Sequence, residues 1–276
     1  MGLNNSLFYK MSGSGNDFII IDNRDQMIKA KGLPDFVKKI CRRRISVGAD
    51  GLILLEKSDK VDFKWRFFNS DGSQAEMCGN GARCAARFAF LHRIAGKNMS
   101  FETAAGIISA QIQGDLVKIK LTDPTDYRAD YQIKLANGLQ NISSINTGVP
   151  HVVIFCENLE KIEVNKLGKE IRYHKIFQPE GTNINFICRL SDKTFAMRTY
   201  ERGVEGETLA CGTGAVACAI DMAKKFSLKA PIQIITQSTS ELIIYFNERK
   251  GSFKEIYLKG DARVIYKAKL GDDALR

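Results

Sequence analysis

Two cysteines in this chain stand in matching surroundings. Cys78-Gly79-Asn80-Gly81-Ala82 and Cys211-Gly212-Thr213-Gly214-Ala215 each set a thiol before a glycine turn that opens a helical pattern. They lie 211 − 78 = 133 residues apart. The same offset carries Gly15-Asn16-Asp17-Phe18 onto Gly148-Val149-Pro150-His151, and Gly48-Ala49-Asp50 onto Gly181-Thr182-Asn183. Three motifs on one ungapped offset imply a duplicated half and two similar domains.

A cysteine just ahead of a helix lies in the positive end of the helix dipole, which favours its thiolate. Gly79 and Gly212 leave the neighbouring amide N–H groups unobstructed, and such groups hold carboxylates. Two facing copies would hold one carboxylate with a thiol on each face of the adjacent α-carbon. That suits inversion of an amino acid: a thiolate removes the α-proton and a thiol returns one to the opposite face. The carbanion must then be stabilised by fixed amide dipoles with water excluded. No sequence feature points to pyridoxal phosphate or any other cofactor. A buried, inert role describes Cys41, Cys84, Cys156, Cys188 and Cys218, but leaves the repeated Cys-Gly-x-Gly unexplained.

Composition sets the bounds. The chain has 276 residues, 44% hydrophobic and 26% charged, enough for two domains with separate cores. No apolar run approaches the ~20 residues that span a bilayer, and the first ten residues lack a signal-peptide pattern. Residues Met1 to Ser6 fit a myristoylation pattern, but no basic cluster or second lipid site supports anchoring. The expected location is the cytoplasm, with no membrane partner. Seven cysteines and three histidines show no zinc-ligand spacing, so neither a metal nor a disulfide framework is expected. The net charge of +10 raises a nucleic-acid partner as a possibility. Only Arg42-Arg43-Arg44 is dense, and no finger, basic zipper or aromatic-basic motif accompanies it, so a lysine-rich soluble surface is expected instead.

The elements that position the cysteines follow from periodicity. Strands are expected at 8–11, 17–22, 51–56 and 62–69, with a proline-started helix over 34–44 and a second helix over 79–94. Short alternating strands run from Met99 to Leu121. The polar turn Asp123-Pro124-Thr125-Asp126 marks the domain boundary. The order then repeats: a strand at 152–156, a helix at 164–173, strands at 183–189 and 193–201, a helix at 212–225, and three strands between Pro231 and Leu258. A last strand, 261–267, crosses back to the first domain. The expected architecture is α+β, with two pseudo-symmetric domains (1–124 with 261–276, and 125–260). Each is a mixed, mostly antiparallel sheet wrapped on a central helix, and the active site lies in the interdomain cleft.

The ordered set of motifs resembles the diaminopimelate epimerase family over nearly the whole chain. The set comprises Gly15-Asn16-Asp17-Phe18, Val47-Gly48-Ala49-Asp50-Gly51, Phe68-Asn69-Ser70-Asp71-Gly72-Ser73, Glu76-Met77-Cys78-Gly79-Asn80-Gly81-Ala82-Arg83-Cys84, Gly181-Thr182-Asn183, Tyr200-Glu201-Arg202-Gly203 and Gly206-Glu207-Thr208-Leu209-Ala210-Cys211-Gly212-Thr213-Gly214. The resemblance implies cofactor-independent interconversion of LL- and meso-diaminopimelate, on the lysine and peptidoglycan pathway. It casts Cys78 and Cys211 as the catalytic bases. Gly79, Asn80, Gly212 and Thr213 become the carboxylate-holding helix starts. Asn16, Asn69, Asn183 and Arg202 hold the substrate, including its distal end. Glu201 and His151 form a pair that fixes geometry near the α-amino group. The family is often a homodimer.

Three departures concern the distal end. Val149 stands where the family usually has Asn, Ser12 where it has His, and the loop from Arg202 to Thr208 carries one extra residue. An amino-acid racemase of the same fold, of glutamate or proline type, therefore stays open as an alternative. A phenazine-pathway isomerase would lack the cysteine pair. A thiol redox protein would not need two anion-binding helix starts.

Overall fold

A computed structural model describes residues 6–29, 31–249 and 251–276; residues 1–5 of the myristoylation-like stretch lie outside them. The chain forms two compact units. The first comprises the described residues up to Ile119 with Gly260–Arg276, and the second is Lys120–Lys259.

The first unit contains β1 (Leu7–Gly13), β2 (Asn16–Asp22), α1 (Leu33–Cys41), β3 (Gly51–Glu56), β4 (Phe63–Asn69), β5 (Gln74–Ala75), α2 (Gly79–Leu91), β6 (Asn98–Thr103), β7 (Gly106–Gln113) and β8 (Leu116–Lys120). The second contains β9 (Thr125–Leu135), β10 (Gly138–Asn146), β11 (Pro150–Phe155), α3 (Val164–Arg172), β12 (Asn183–Arg189), β13 (Thr194–Glu201), β14 (Gly206–Thr208), α4 (Gly212–Phe226), β15 (Ile232–Ile235), β16 (Glu241–Arg249) and most of β17 (Ser252–Asp261). The last strand, β18 (Arg263–Lys269), pairs antiparallel with β1.

Topology repeats as the sequence does. β2 and β3 pair in parallel through α1, and β11 and β12 in parallel through α3. An antiparallel partner follows each, β4 and β13. The helices α2 and α4 then lead to strands parallel to those partners, β6 and β15. The hairpin β1–β2 corresponds to β10–β11. β18 flanks β1 as β9 flanks β10.

The two central helices are buried on nearly every side. Ala82, Cys84, Ala85, Ala86, Phe88 and Ala89 of α2 are inaccessible, as are the residues of α4 from Ala215 to Met222 except for slight exposure of Asp221. Helices this apolar must be enclosed, and small side chains let the strands approach them closely. Outside the sheet, α1 closes a core with Ile19, Leu52, Leu54 and Phe68. α3 closes the matching one with Val152, Ile184, Phe186 and Tyr200.

The hairpin β9–β10 is absent from the sequence-based expectation. Most of β9 is exposed, and apolar alternation reaches the core only at Ile133 and Leu135. A solvent-facing strand carries little of the period-2 signal. The parallel pairings also exceed what hairpin-length spacings suggested. The arginine run is partly consumed internally: Arg43 pairs with Asp17 and with Asp50 at 2.7 Å, and Arg42 donates to the Arg276 carbonyl.

Candidate functional site

In the first unit, Cys78 is the residue that caps α2, with extended backbone (φ −145°, ψ 119°). The first intrahelical bond runs from the Ala82 N–H to the Cys78 carbonyl at 2.8 Å. The amides of Gly79, Asn80 and Gly81 precede it, the usual unsatisfied donors of a helix start. A polar chain fixes this turn from below. Asn16 Nδ2 donates to Asp50 at 2.8 Å, Asn80 Nδ2 to Asn16 Oδ1 at 2.7 Å, and Arg83 Nη2 to Asn80 Oδ1 at 2.9 Å. Arg83 also donates to Ser14 Oγ at 2.7 Å and to the Asp261 carbonyl at 3.1 Å. Its guanidinium is fully buried, and burial draws it below its ordinary range.

In the second unit, Cys211 caps α4 with the same extended backbone (φ −128°, ψ 112°). Its sulfur accepts from the Gly214 N–H at 3.4 Å and lies 3.5 Å from Thr213 Oγ1. Thr213 Oγ1 is 3.0 Å from His151 Nε2, and His151 Nδ1 is 3.1 Å from Asn185 Nδ2. Complete burial and the Arg202 charge push the His151 imidazole down to about 3, so the ring is neutral.

The expected residues fall into two groups. Asn16, Asn80, Gly79 and Cys78 gather at the start of α2. Asn69 ends β4, exposed, and donates to Ser73 Oγ at 3.1 Å. Its neighbour Ser70 donates from its backbone to the carbonyl of Asp50, the residue that holds Asn16. In the other unit, His151 stands opposite Asn183 across the parallel ladder. Asn183 donates to the Pro150 carbonyl and accepts from the Arg202 N–H at 2.9 Å. Arg202 reaches the Glu180 carbonyl at 3.1 Å. Burial raises the Glu201 carboxyl, with the Thr208 hydroxyl opposing.

Four of the remaining cysteines are poorly suited to act as bases. Burial pushes Cys41 and Cys84 up to about 12 and Cys156 to about 11, and raises Cys218 well above the ordinary thiol value. Among the described residues no three His, Cys, Asp or Glu side chains gather as a metal site, and no helix is long and apolar enough to cross a membrane.

Sequence reasoning passed over Ser14, Arg83 and Asn185. Arg83 was visible as a cation inside an otherwise alanine- and cysteine-rich helix stripe. Asn185 lies two residues after Asn183 on a strand, hence on the same face.

Comparison with known proteins gives one family. The diaminopimelate epimerase family model matches residues 8–125 and 143–265. The chain is 48% identical to the diaminopimelate epimerase of Aquifex aeolicus over 280 aligned residues, covering 97% of this chain and 99% of that one. Among solved structures it is similar to a phenazine biosynthesis protein of the PhzF family from Bacillus anthracis (TM-score 0.75, 18% identity, 96% of this chain and 98% of that one). It is also similar to a probable proline racemase from Agrobacterium radiobacter (TM-score 0.70, 14% identity, 97% and 93%). At such identities these structures share the fold alone.

Proposed function

This chain belongs to the diaminopimelate epimerase family, and is an isomerase by that membership; on that premise we propose that it epimerises LL-diaminopimelate to the meso form with Cys78 and Cys211 as its acid and base. The observation that carries this reading is the repeated cap. Each thiol stands at the head of an enclosed helix, beside backbone amides that precede the first intrahelical bond.

In this mechanism one sulfur, as thiolate, takes the α-proton, and the other, as thiol, protonates the opposite face. The amides of Gly79 and Asn80, with those of Gly212 and Thr213, hold the α-carboxylate and stabilise the charge that develops on deprotonation. The two thiols supply both the base and the acid, so the scheme requires no cofactor. Asn16, Asn69, Asn183 and Arg202 orient the substrate. Arg202 offers a planar fork to the distal carboxylate. Glu201 supports the α-amino end, and His151 fixes the geometry beside it. Val149 favours a relaxed distal specificity over that usual in the family.

The test is incubation with LL-diaminopimelate in deuterated water. Deuterium at the α-carbon together with meso product supports the reading; meso product without deuterium exchange refutes it. The same reading carries a cytoplasmic homodimer, checked by light scattering in solution and by cell fractionation.

A further inference from the structure

The Cys211 sulfur sits at the end of a polar chain whose hydrogen-bond directions are determined as far as the Thr213 hydroxyl. The Val152 carbonyl can only accept, so the group 2.9 Å from it is the Asn185 NH2. The Asn185 oxygen then faces Thr199 Oγ1, which donates to it at 3.0 Å. The second hydrogen of the Asn185 NH2 points to His151 Nδ1 at 3.1 Å. That nitrogen must accept, so the neutral ring carries its proton on Nε2. Nε2 donates to Thr213 Oγ1 at 3.0 Å. The Thr213 hydroxyl accepts there and keeps its own hydrogen to donate, and Cys211 Sγ lies 3.5 Å away.

We propose that Asn185 is a positioning residue for Cys211: by fixing the Nε2–H tautomer of His151 it turns the Thr213 hydroxyl into a donor to the Cys211 sulfur and holds that sulfur as the thiolate of the resting enzyme. The Gly214 N–H gives the sulfur a second donor at 3.4 Å. Donors to a charged acceptor favour the charged form.

Two charged or titratable groups bear on this chain. Arg202, after β13, bears on His151 and disfavours a second ring proton. Cys218, deeper on α4, is held neutral by burial.

In the first unit the corresponding residues are of other types. At the offset of 133, His151 corresponds to Phe18, Asn185 to Leu52 and Thr213 to Asn80. Phe18 and Leu52 are buried and apolar. Asn80 is turned to Asn16 and Arg83. The duplicated halves thus place different side chains at the three positions that lead to Cys211.

This inference rests on the proposed role of Cys211, but its test needs no substrate. In the full-length protein without diaminopimelate, nitrogen NMR of His151 reads the tautomer directly. The alkylation rate of Cys211, followed peptide by peptide across pH, reads its thiol ionisation. Wild-type protein should show Nε2–H. Thr213→Val and Asn185→Leu should raise the apparent thiol pKa of Cys211 by about one unit, roughly a tenfold slower alkylation at pH values below the wild-type thiol pKa. Thr213→Ser should restore the wild-type profile, which a packing role would not predict. A wild-type His151 protonated on Nδ1, or a Thr213→Val protein with an unmoved Cys211 profile, would overturn the proposal. The wild-type tautomer and the Thr213 pair decide this whether or not Asn185→Leu folds. Deuterium exchange into diaminopimelate, measured separately, tests the enzymatic reading itself.

Discussion

The side-chain oxygen of Asn185 lies 2.3 Å from the place a Cβ on Gly214 would occupy. The second glycine of Cys211-Gly212-Thr213-Gly214 is therefore there for steric reasons, since the start of α4 presses onto an amide that three hydrogen bonds hold in place. Gly214→Ala should displace Asn185 and cost ~1–3 kcal/mol of stability, the usual range for an overpacked core. Gly79→Ala should differ. Its Cβ would meet only Ile119 Cδ1, at 3.8 Å, and alanine is the better helix former by ~1 kcal/mol. Urea unfolding of both variants checks this. A Gly79→Ala protein that keeps its stability but loses epimerisation would place substrate against that backbone.

For the two thiols the expectation is loss of function without loss of fold. Cys78→Ala and Cys211→Ala should each abolish conversion of LL- to meso-diaminopimelate while the circular-dichroism melt stays near that of the parent. Cys41→Ala and Cys188→Ala should retain activity and lose stability at most, because both side chains are buried. Appreciable conversion by the Cys211→Ala protein would exclude a scheme with two bases.

Arg83 makes a prediction of the opposite kind. Its side chain serves Ser14, Asn80 and the Asp261 carbonyl while fully buried. Arg83→Leu strands those groups away from water, at a cost of roughly 2–4 kcal/mol. It should also release Asn80 and with it the start of α2. The denaturation midpoint should fall markedly, with a milder drop in Arg83→Lys, which keeps a charge but not the fork. Equal stability of all three proteins would show that the cluster does not hold the helix.

How much of this was legible beforehand differs by level. The helices α2 and α4, their glycine starts and the capping cysteines follow from local spacing, and the structure places them as read. A returning strand was expected over 261–267, and β18 spans Arg263–Lys269 and pairs with β1. β9 was not, because exposed strands such as Thr125–Leu135 carry no apolar rhythm. The motifs pointed to the residues around the cysteines, but not to their connections. Asn185 gains its role only when β11 and β12 pair in parallel and bring it beside His151. Arg83 gains its role only when Asp261 returns from the far end of the chain. Such contacts depend on pairing across more than thirty residues, which periodicity does not encode.

The acid side of the stability profile should carry the mark of His151. Its pKa falls from the ordinary 6.5 to about 3 in the folded protein, chiefly through burial. The unfolded chain therefore binds a proton that the folded one refuses. The stability this group contributes is fully present above about 6.5 and is lost as the pH falls toward 3. Glu201 and Asp221 act the other way: burial raises both, so their contribution is present at low pH and is lost as pH rises through their folded values. The comparison to make is between the parent and His151→Gln. Between pH 6 and pH 4 the parent should lose up to ~1.4 kcal/mol per pH unit more than the variant. Parallel profiles would mean that His151 is protonated in the folded state.

Val149 bears on specificity. Its side chain is half-buried at the turn before β11, and its carbonyl accepts from the Thr147 N–H at 3.1 Å. The corresponding residue in the first half, Asn16, spends both ends of its amide on Asp50 and Asn80. Valine offers no side-chain donor or acceptor, so a polar group at the distal end of diaminopimelate would lack one partner there. A hydrogen bond of that kind is worth roughly 0.5–1.5 kcal/mol, about two- to twelvefold in kcat/KM. Slow racemisation of shorter amino acids with a distal carboxylate, glutamate first, is the expected consequence in the parent protein. Val149→Asn should raise kcat/KM for diaminopimelate more than for glutamate, while the reacting end, held by helix-start amides, stays unchanged. The ratio of the two constants in each protein is the measurement. If it does not move, or if no shorter acid is turned over, recognition of the distal end rests on Arg202 and Asn183 and not on residue 149.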